Sequence, residues 1–214
     1  MRILILLLIT CPFLGYSQYL ERKNYQIIRT EKPPVIDGKM DDSAWENANV
    51  GTYFVCMEPY NGKPISHPFR TEWKATYDNN SIYFIIKMYD PAPDSILKQL
   101  SSRDNMGDAA DFIGIFINPY NDGQTDFGLF VSAAGVQGDG KFTQEGENPD
   151  WDIVWDSEVS INKDGWIAEL KIPYSALRFP NTEVQTWGLN IFRNIRRYRE
   201  QYTWSFLDLN KQNL

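Results

Sequence analysis

Short segments with the composition of β-strands, separated by turn signals, follow one another along most of the sequence. Phe69–Tyr77 and Ser81–Tyr89 flank the turn Asp78-Asn79-Asn80 and form the clearest predicted hairpin. The strands do not alternate with long helices, so a parallel sheet is not expected. The pattern predicts an all-β protein, a two-sheet antiparallel β-sandwich of the jelly-roll kind. The other predicted strands are Tyr25–Thr30, Thr52–Glu58, Asp111–Asn118, Asp126–Ser132, Val154–Ile161, Trp166–Ile172, Trp187–Arg193 and Gln201–Leu207.

Helix signals are few, and only one or two short helices are expected. The segment 41–47 begins with an aspartate that can cap a helix and carries Trp45. The segment 173–177 begins with proline, which is favoured at the first helical position. The acidic, glycine-rich stretch 135–150 is predicted to be a loop.

The first 17 residues have the pattern of a signal peptide. A positive residue precedes an apolar run over residues 3–13, and Gly15 and Ser17 stand at positions −3 and −1 of a cleavage site. The run is shorter than the roughly 20 residues that span a membrane, and Thr10 is too large to precede a lipid-modified Cys11. We therefore expect export to the periplasm, the outer membrane or the exterior, with residues 18–214 as one domain. The chain ends soon after its last aromatic segment, so we also expect it to be part of a longer protein.

Composition narrows the range of chemistry. The formal net charge is −7, which does not favour a nucleic-acid partner, because phosphate binding needs a basic face. His67 is the only histidine, which removes most zinc sites and Ser-His-Asp chemistry. Cys56 remains alone after cleavage, so an internal disulfide is not expected, and its strand context predicts a buried side chain.

Four motifs, taken in order and with their spacing, resemble the family 9 carbohydrate-binding modules over about residues 31–207. The resemblance is strongest to modules at the N-terminus of long exported bacterial proteins whose remaining domain is β-rich. The motifs are Pro34-Val-Ile-Asp-Gly38 with Trp45, Ala75-Thr-Tyr-Asp78 with Asp90-Pro91, Asp108-x-x-Asp111 through Asn118, and Asp164-Gly-Trp-Ile-Ala-Glu-Leu-Lys-Ile-Pro173 with Trp187-Gly-Leu-Asn190.

This resemblance implies a binding module for an oligosaccharide or polysaccharide, acting in carbohydrate breakdown or uptake, rather than an enzyme. In well-studied members two tryptophans clamp the sugar, and calcium supports loops. The first clamp tryptophan corresponds here to Asp108, and a sugar-binding arginine corresponds to Phe130. The second tryptophan is expected beyond the strand that holds Trp204. The scaffold therefore matches but the usual sugar site does not, and we expect weak or divergent glycan binding.

Asp37 and Asp42 are the candidate calcium ligands, because they flank the entry to the first predicted helix and calcium takes six to eight oxygen ligands. A turn aspartate and a helix cap are the alternative roles of the same two residues.

The candidate ligand-binding residues are Arg103, Asp104 and Asp108, in the loop that corresponds to the clamp region, together with Trp151. Charged side chains there are suited to sugar hydroxyls, and a tryptophan can stack on the apolar face of a pyranose. A solvated loop with a surface ion pair, and packing of Trp151 under the loop, are the alternatives.

The arginines at 193, 196, 197 and 199 form the only basic cluster. Three roles are open for it: binding of an anion or partner, pairing with nearby carboxylates such as Glu200, and docking of a downstream β-rich domain. A non-catalytic docking module without sugar binding is therefore the alternative function of the chain. The sequence gives no support to glycoside hydrolysis. That reaction needs two carboxyl groups at a set separation, and among 28 acidic residues some pair will always meet this requirement.

Overall fold

Two β-sheets packed face to face account for most of residues 20–105, 110–148 and 150–209, which the computed structural model describes, and they confirm the predicted all-β class. In these ranges twelve strands pair antiparallel except for β1 with β3, which are parallel. The five-stranded sheet has the order β1 (Ile28–Arg29), β3 (Thr71–Tyr77), β4 (Ser81–Tyr89), β10 (Gly165–Pro173), β9 (Asp156–Asn162). The seven-stranded sheet has the order β2 (Val55–Glu58), β12 (Glu200–Thr203), β11 (Gly188–Ile195), β5 (Phe112–Asn118), β6 (Thr125–Ser132), β7 (Gln137–Thr143), β8 (Gly146–Asn148).

The main core lies between the two sheets and follows the two-residue period of each strand. Ile113, Ile115 and Ile117 of β5 face alternate residues of β4 and β10 across it. Trp73 and Trp166 are fully buried there, as their strand positions predict.

The outer face of the five-stranded sheet is covered by the segment 31–48. Trp45, with the partly buried Ile36 and Met40, packs against Tyr83 and Ile167 to form a second, smaller core. A third layer therefore lies on this sheet, and it contains the first of the four sequence motifs.

The two predicted helices are single 3₁₀ turns, Ser43–Trp45 and Tyr174–Ala176. Three further 3₁₀ turns occur in the described ranges, at His67–Phe69, Pro93–Ser95 and Arg196–Tyr198. None of these helices is long and apolar enough to cross a membrane.

The stretch 135–150 is not the loop that the sequence predicts, because most of it forms strands β7 and β8. Its glycines suppress the strand signal. The close approach of an aromatic ring is on the neighbouring strand β6: a Cβ on Gly128, which pairs with Gly140, would lie 2.6 Å from a ring carbon of Phe142. The ring of Phe142 thus fills the space that a side chain at Gly128 would occupy.

Candidate functional site

The loop with Arg103 and Asp104 lies along the edge of β7. Strand β8 pairs with β7 only from Lys141 onward, which leaves the backbone groups of residues 137 and 139 without a neighbouring strand. There the amide of Asp104 donates to the carbonyl of Gln137 at 3.1 Å, and the amide of Asp139 donates to Asp104 Oδ1 at 3.1 Å. Asp104, with φ of 64°, therefore closes an edge that would otherwise be open to pairing with another chain.

Asp139 connects this loop to the segment before β9. Its carboxylate is fully buried and accepts the indole N–H of Trp155 at 3.0 Å, the amide of Ile153 at 3.1 Å and the guanidinium of Arg103. Burial raises the pKa of Asp139, although these donors act in the opposite direction. Asp139 lies in the stretch predicted to be a loop, so no sequence pattern marks it as a site residue.

Arg103 is occupied by contacts within the protein. Its guanidinium donates to Gln137 Oε1 at 2.8 Å, Asp152 Oδ1 at 3.0 Å and the carbonyl of Ile153 at 3.1 Å, besides Asp139. We call Arg103, Asp104, Gln137, Asp139 and Asp152 the β7-edge network. In it the side chains of Arg103 and Asp104 hold the loops together through contacts within the protein, which is neither the predicted ligand contact nor a solvated loop.

Trp151 lies in the segment that the β7-edge network holds. Its ring stacks on Phe127, with centroids 4.7 Å apart and planes inclined by 29°, and it packs partly buried against the main core. The adjacent Asp152 has a side chain that is 71% exposed although Arg103 binds one of its oxygens. The segment thus carries an aromatic ring that packs toward the core and, at the next residue, an exposed acceptor.

A groove of about 580 Å³ adjoins the same network. Gln137 and Trp155 form one end of it, and Pro34 of the third layer and Lys171 of β10 lie along it. Its size falls in the range of small-molecule sites.

Asp108 lies outside the described residues. The predicted calcium ligands Asp37 and Asp42 bond to their own segment: Asp37 accepts the amide and the ammonium of Lys39 at 3.1 and 2.6 Å, and Asp42 Oδ2 accepts the amide of Val35 at 2.9 Å. Within residues 20–105, 110–148 and 150–209 no group of three or more His, Cys, Asp or Glu side chains is arranged to hold a metal ion. The contacts of Asp37 match the turn role. Asp42 stands at the N-cap position of the first 3₁₀ turn, but its side chain makes no capping hydrogen bond because it accepts the amide of Val35 instead. Calcium binding stays a prediction.

Melting curves test that prediction directly. A metal that binds only the native state stabilises it by mass action, so calcium should raise the melting temperature by several degrees relative to chelator. Asp37→Ala should remove the difference. Coinciding curves, with Asp37→Ala melting like the parent, would contradict calcium binding there.

Comparison with known proteins identifies the family. A family model described as carbohydrate family 9 binding domain-like matches residues 36–203. The chain belongs to this family. Among curated proteins, none matches this chain significantly.

Solved structures with the same fold include two of a family 9 carbohydrate-binding module from Caldicellulosiruptor kristjanssonii. The complex with cellotriose is 20% identical, with a TM-score of 0.58 over 88% of this chain and 87% of that chain. The complex with glucose is 21% identical, with a TM-score of 0.57 over 88% of each chain. A Bacteroides uniformis protein named as a candidate carbohydrate-binding protein is 11% identical, with a TM-score of 0.64 over 86% of this chain and 90% of that chain.

In this family 9 domain, Phe130, which the resemblance predicts to stand in place of a sugar-binding arginine, lies in an aromatic surface. Phe130 is on the outer face of the seven-stranded sheet, 5.4 Å from Phe116 between ring centroids, and a Cβ on Gly114 would lie 2.6 Å from its ring. We call this surface the outer aromatic face. It consists of the partly exposed side chains of Phe112, Phe116, Phe130, Phe142 and Phe192.

Two of the four arginines in the cluster of the family 9 domain, Arg193 and Arg197, are not part of a free basic surface. Arg193 is buried at 1% exposure, and Arg197 pairs with the buried Asp90 at 2.8 Å. Pairing with a carboxylate is therefore the role that the structure supports for Arg197, although the partner is Asp90 rather than Glu200, which accepts the hydroxyl of Tyr202.

Proposed function

We propose that this family 9 domain is a non-catalytic module that binds a glycan weakly along the edge of β7, with Trp151 as its single aromatic plate. The observation that carries the proposal is the position of Trp151, whose ring is fixed on Phe127 at 4.7 Å and whose chain neighbour Asp152 has an exposed carboxylate. A pyranose has an apolar face that stacks on such a ring and hydroxyls that donate to such an acceptor.

The rigidity of the edge supports this proposal. Asp139, Arg103 and Asp104 hold the loop and the segment 150–155 in one arrangement, so little conformational freedom is lost on binding. Two structures of similar fold hold cellotriose and glucose, which makes these sugars the first ligands to test.

Titration of soluble oligosaccharides, including cellotriose and glucose, tests the glycan site. One plate instead of two halves the stacking surface, so the dissociation constant should be nearer millimolar than micromolar, roughly −4 kcal/mol. Trp151→Ala should abolish the change in tryptophan fluorescence or chemical shifts. The matched control is Trp187→Ala, because Trp187 is also partly buried but packs against Tyr174 and Phe179. Binding that survives Trp151→Ala would show that the plate lies elsewhere, for example in the groove beside Gln137.

Export is part of the proposal and rests on the signal-peptide pattern of residues 1–17, which lie outside the described residues. Mass spectrometry of the protein from its natural host should find the mature chain beginning at Gln18. A diacylglyceryl mass on Cys11 would contradict it. In that setting the module would serve carbohydrate breakdown or uptake.

Docking of a neighbouring β-rich domain, without sugar binding, is the second candidate function. The outer aromatic face favours it, because the place of a sugar-binding arginine is taken by Phe130 among other phenylalanines, which offer no hydrogen-bond donors. No response to any glycan at tens of millimolar would favour this function over glycan binding.

A further inference from the structure

A second groove, of about 470 Å³, lies at the end of β4 and beside the turn between β9 and β10. Arg70, Lys87 and Tyr89 line one side of it, and Lys163 of the turn lines the other. Pro68 and Pro91 also contribute to its walls. We call it the Tyr89 groove, and neither the β7-edge network nor Trp151 contributes to it.

Two cations share one aromatic ring in this groove. The guanidinium carbon of Arg70 lies 3.3 Å, and the ammonium of Lys87 lies 4.6 Å, from the centroid of Tyr89. Lys163 adds an exposed ammonium, which makes no ion pair within the described part of the chain. Three positive groups therefore surround one small opening, in a chain whose formal net charge is −7.

Two carboxylates near the groove are engaged by other groups. Glu72 accepts Arg70 Nε at 3.3 Å and the hydroxyl of Tyr89 at 3.1 Å, and Asp90, below the surface, is paired with Arg197 at 2.8 Å. Asp164 lines the groove, is half exposed and lies 3.9 Å from Lys87, so it offsets part of the positive charge. The cations Arg70, Lys87 and Lys163 still outnumber Glu72 and Asp164 by one, which leaves a small positive excess that can attract an anion.

The groove also has features that suit a sugar. Pro68 and Pro91 give an apolar wall for the CH face of a sugar ring. The guanidinium of Arg70 covers the ring of Tyr89 at 3.3 Å, so Tyr89 positions the cations rather than stacking on the sugar. A bare inorganic anion would use the cations alone, whereas an acidic sugar matches both the cations and the apolar wall.

We propose that the Tyr89 groove binds the charged unit of an acidic glycan, with a uronate carboxylate or a sulfate ester held by Lys87, Arg70 and Lys163. Charge-assisted hydrogen bonds of this kind are stronger than neutral ones. The inference extends the proposed glycan binding to a second site, which does not depend on Trp151.

The test compares a glucuronate-bearing oligosaccharide with its carboxyl-reduced, neutral counterpart by calorimetry or chemical-shift titration. The acidic form should bind at least tenfold more tightly, and 0.5 M salt should remove that preference. Lys87→Gln combined with Arg70→Gln should also remove it. The matched control is Lys63→Gln, since the ammonium of Lys63 likewise lies over a ring, that of Tyr60 at 5.1 Å, but outside the groove.

Several outcomes would overturn the inference. Equal binding of the acidic and neutral forms would exclude recognition of the charged group by the groove. A preference for the acidic form that survives the double substitution in a normally folded variant would place the anion-binding site elsewhere. Sodium sulfate or free glucuronate binding as tightly as the oligosaccharide would show an anion site that does not recognise a glycan. Trp151→Ala separates the two proposals, because it should abolish binding of neutral sugars and leave the acidic preference intact.

Discussion

Replacing Arg193 with leucine should destabilise the domain by about 3–5 kcal/mol, the range measured when one partner of a buried charge group is removed. The guanidinium donates to Thr71 Oγ1 at 2.9 Å, to the carbonyl of Tyr89 at 3.0 Å and to the carbonyl of Phe69. Burial lowers the pKa of Arg193 to about 10, so it stays charged at neutral pH. Leucine would leave these acceptors buried and unpaired, in a protein whose total stability is about 5–15 kcal/mol.

Urea or thermal unfolding measures this effect, and Arg178→Leu is the control. Arg178 is exposed, so its loss should change stability by no more than about 0.5 kcal/mol. The loss of stability in Arg193→Lys should lie between those of Arg193→Leu and Arg178→Leu, because lysine keeps the positive charge but lacks the forked donors of the guanidinium. Equal midpoints for Arg193→Leu and the parent would mean that the buried guanidinium contributes nothing to the fold.

Loss of Arg193 also affects the carboxylates beside it. Burial raises the pKa of Asp111 to about 6, while the charges of Arg193 and Arg197 act in the opposite direction. Without Arg193, one of these compensating charges is lost, so the pKa of Asp111 should rise further. Arg193 and Arg197, two of the four arginines that look like one basic cluster in the sequence, therefore serve the interior of the fold.

Runs of strand-forming residues bounded by turn signals made most of the fold predictable. Ser81–Tyr89 was predicted with its observed bounds, and β10 extends the predicted Trp166–Ile172 by one residue at each end. In β4 apolar side chains lie on both faces, because the outward Tyr83 and Ile85 are covered by the third layer. Strand β7 was missed because its outward positions hold Gly138 and Gly140 and an inward one holds Asp139, which reverses the usual pattern.

The candidate site was only partly predictable. The sequence selected Arg103, Asp104 and Trp151, and the structure joins the first two to Asp152, the neighbour of Trp151. Asp139 connects them by accepting hydrogen bonds from Ile153 and Arg103, which are 14 and 36 residues away in sequence. A local sequence pattern cannot predict pairings over such separations. Arg193 did leave a signal, since it alternates with Ile191 and Ile195 on one face of β11 and so had to point inward.

The sequence motifs of the family also have a structural explanation. Glu169 of the fourth motif accepts the amides of Asp37 and Gly38 at 2.9 and 3.0 Å, and the indole N–H of Trp45 at 3.0 Å, all from the first motif. These residues attach the third layer to the five-stranded sheet. This pair of motifs therefore marks the scaffold, which is why a match to it identifies the family without specifying a sugar site.

Glu169→Ala should consequently be among the most damaging single changes, at about 3–5 kcal/mol, because it leaves two backbone amides and the Trp45 indole buried without an acceptor. For a domain of this size that corresponds to a fall of roughly 10 °C or more in melting temperature. Glu169→Gln should cost less, since one acceptor oxygen remains. The matched control is Glu158→Ala: Glu158 is the cross-strand neighbour of Glu169 on β9 but is exposed, so its removal should be nearly neutral. A large loss in Glu158→Ala, or none in Glu169→Ala, would mean that the third layer is held by apolar packing and not by this carboxylate.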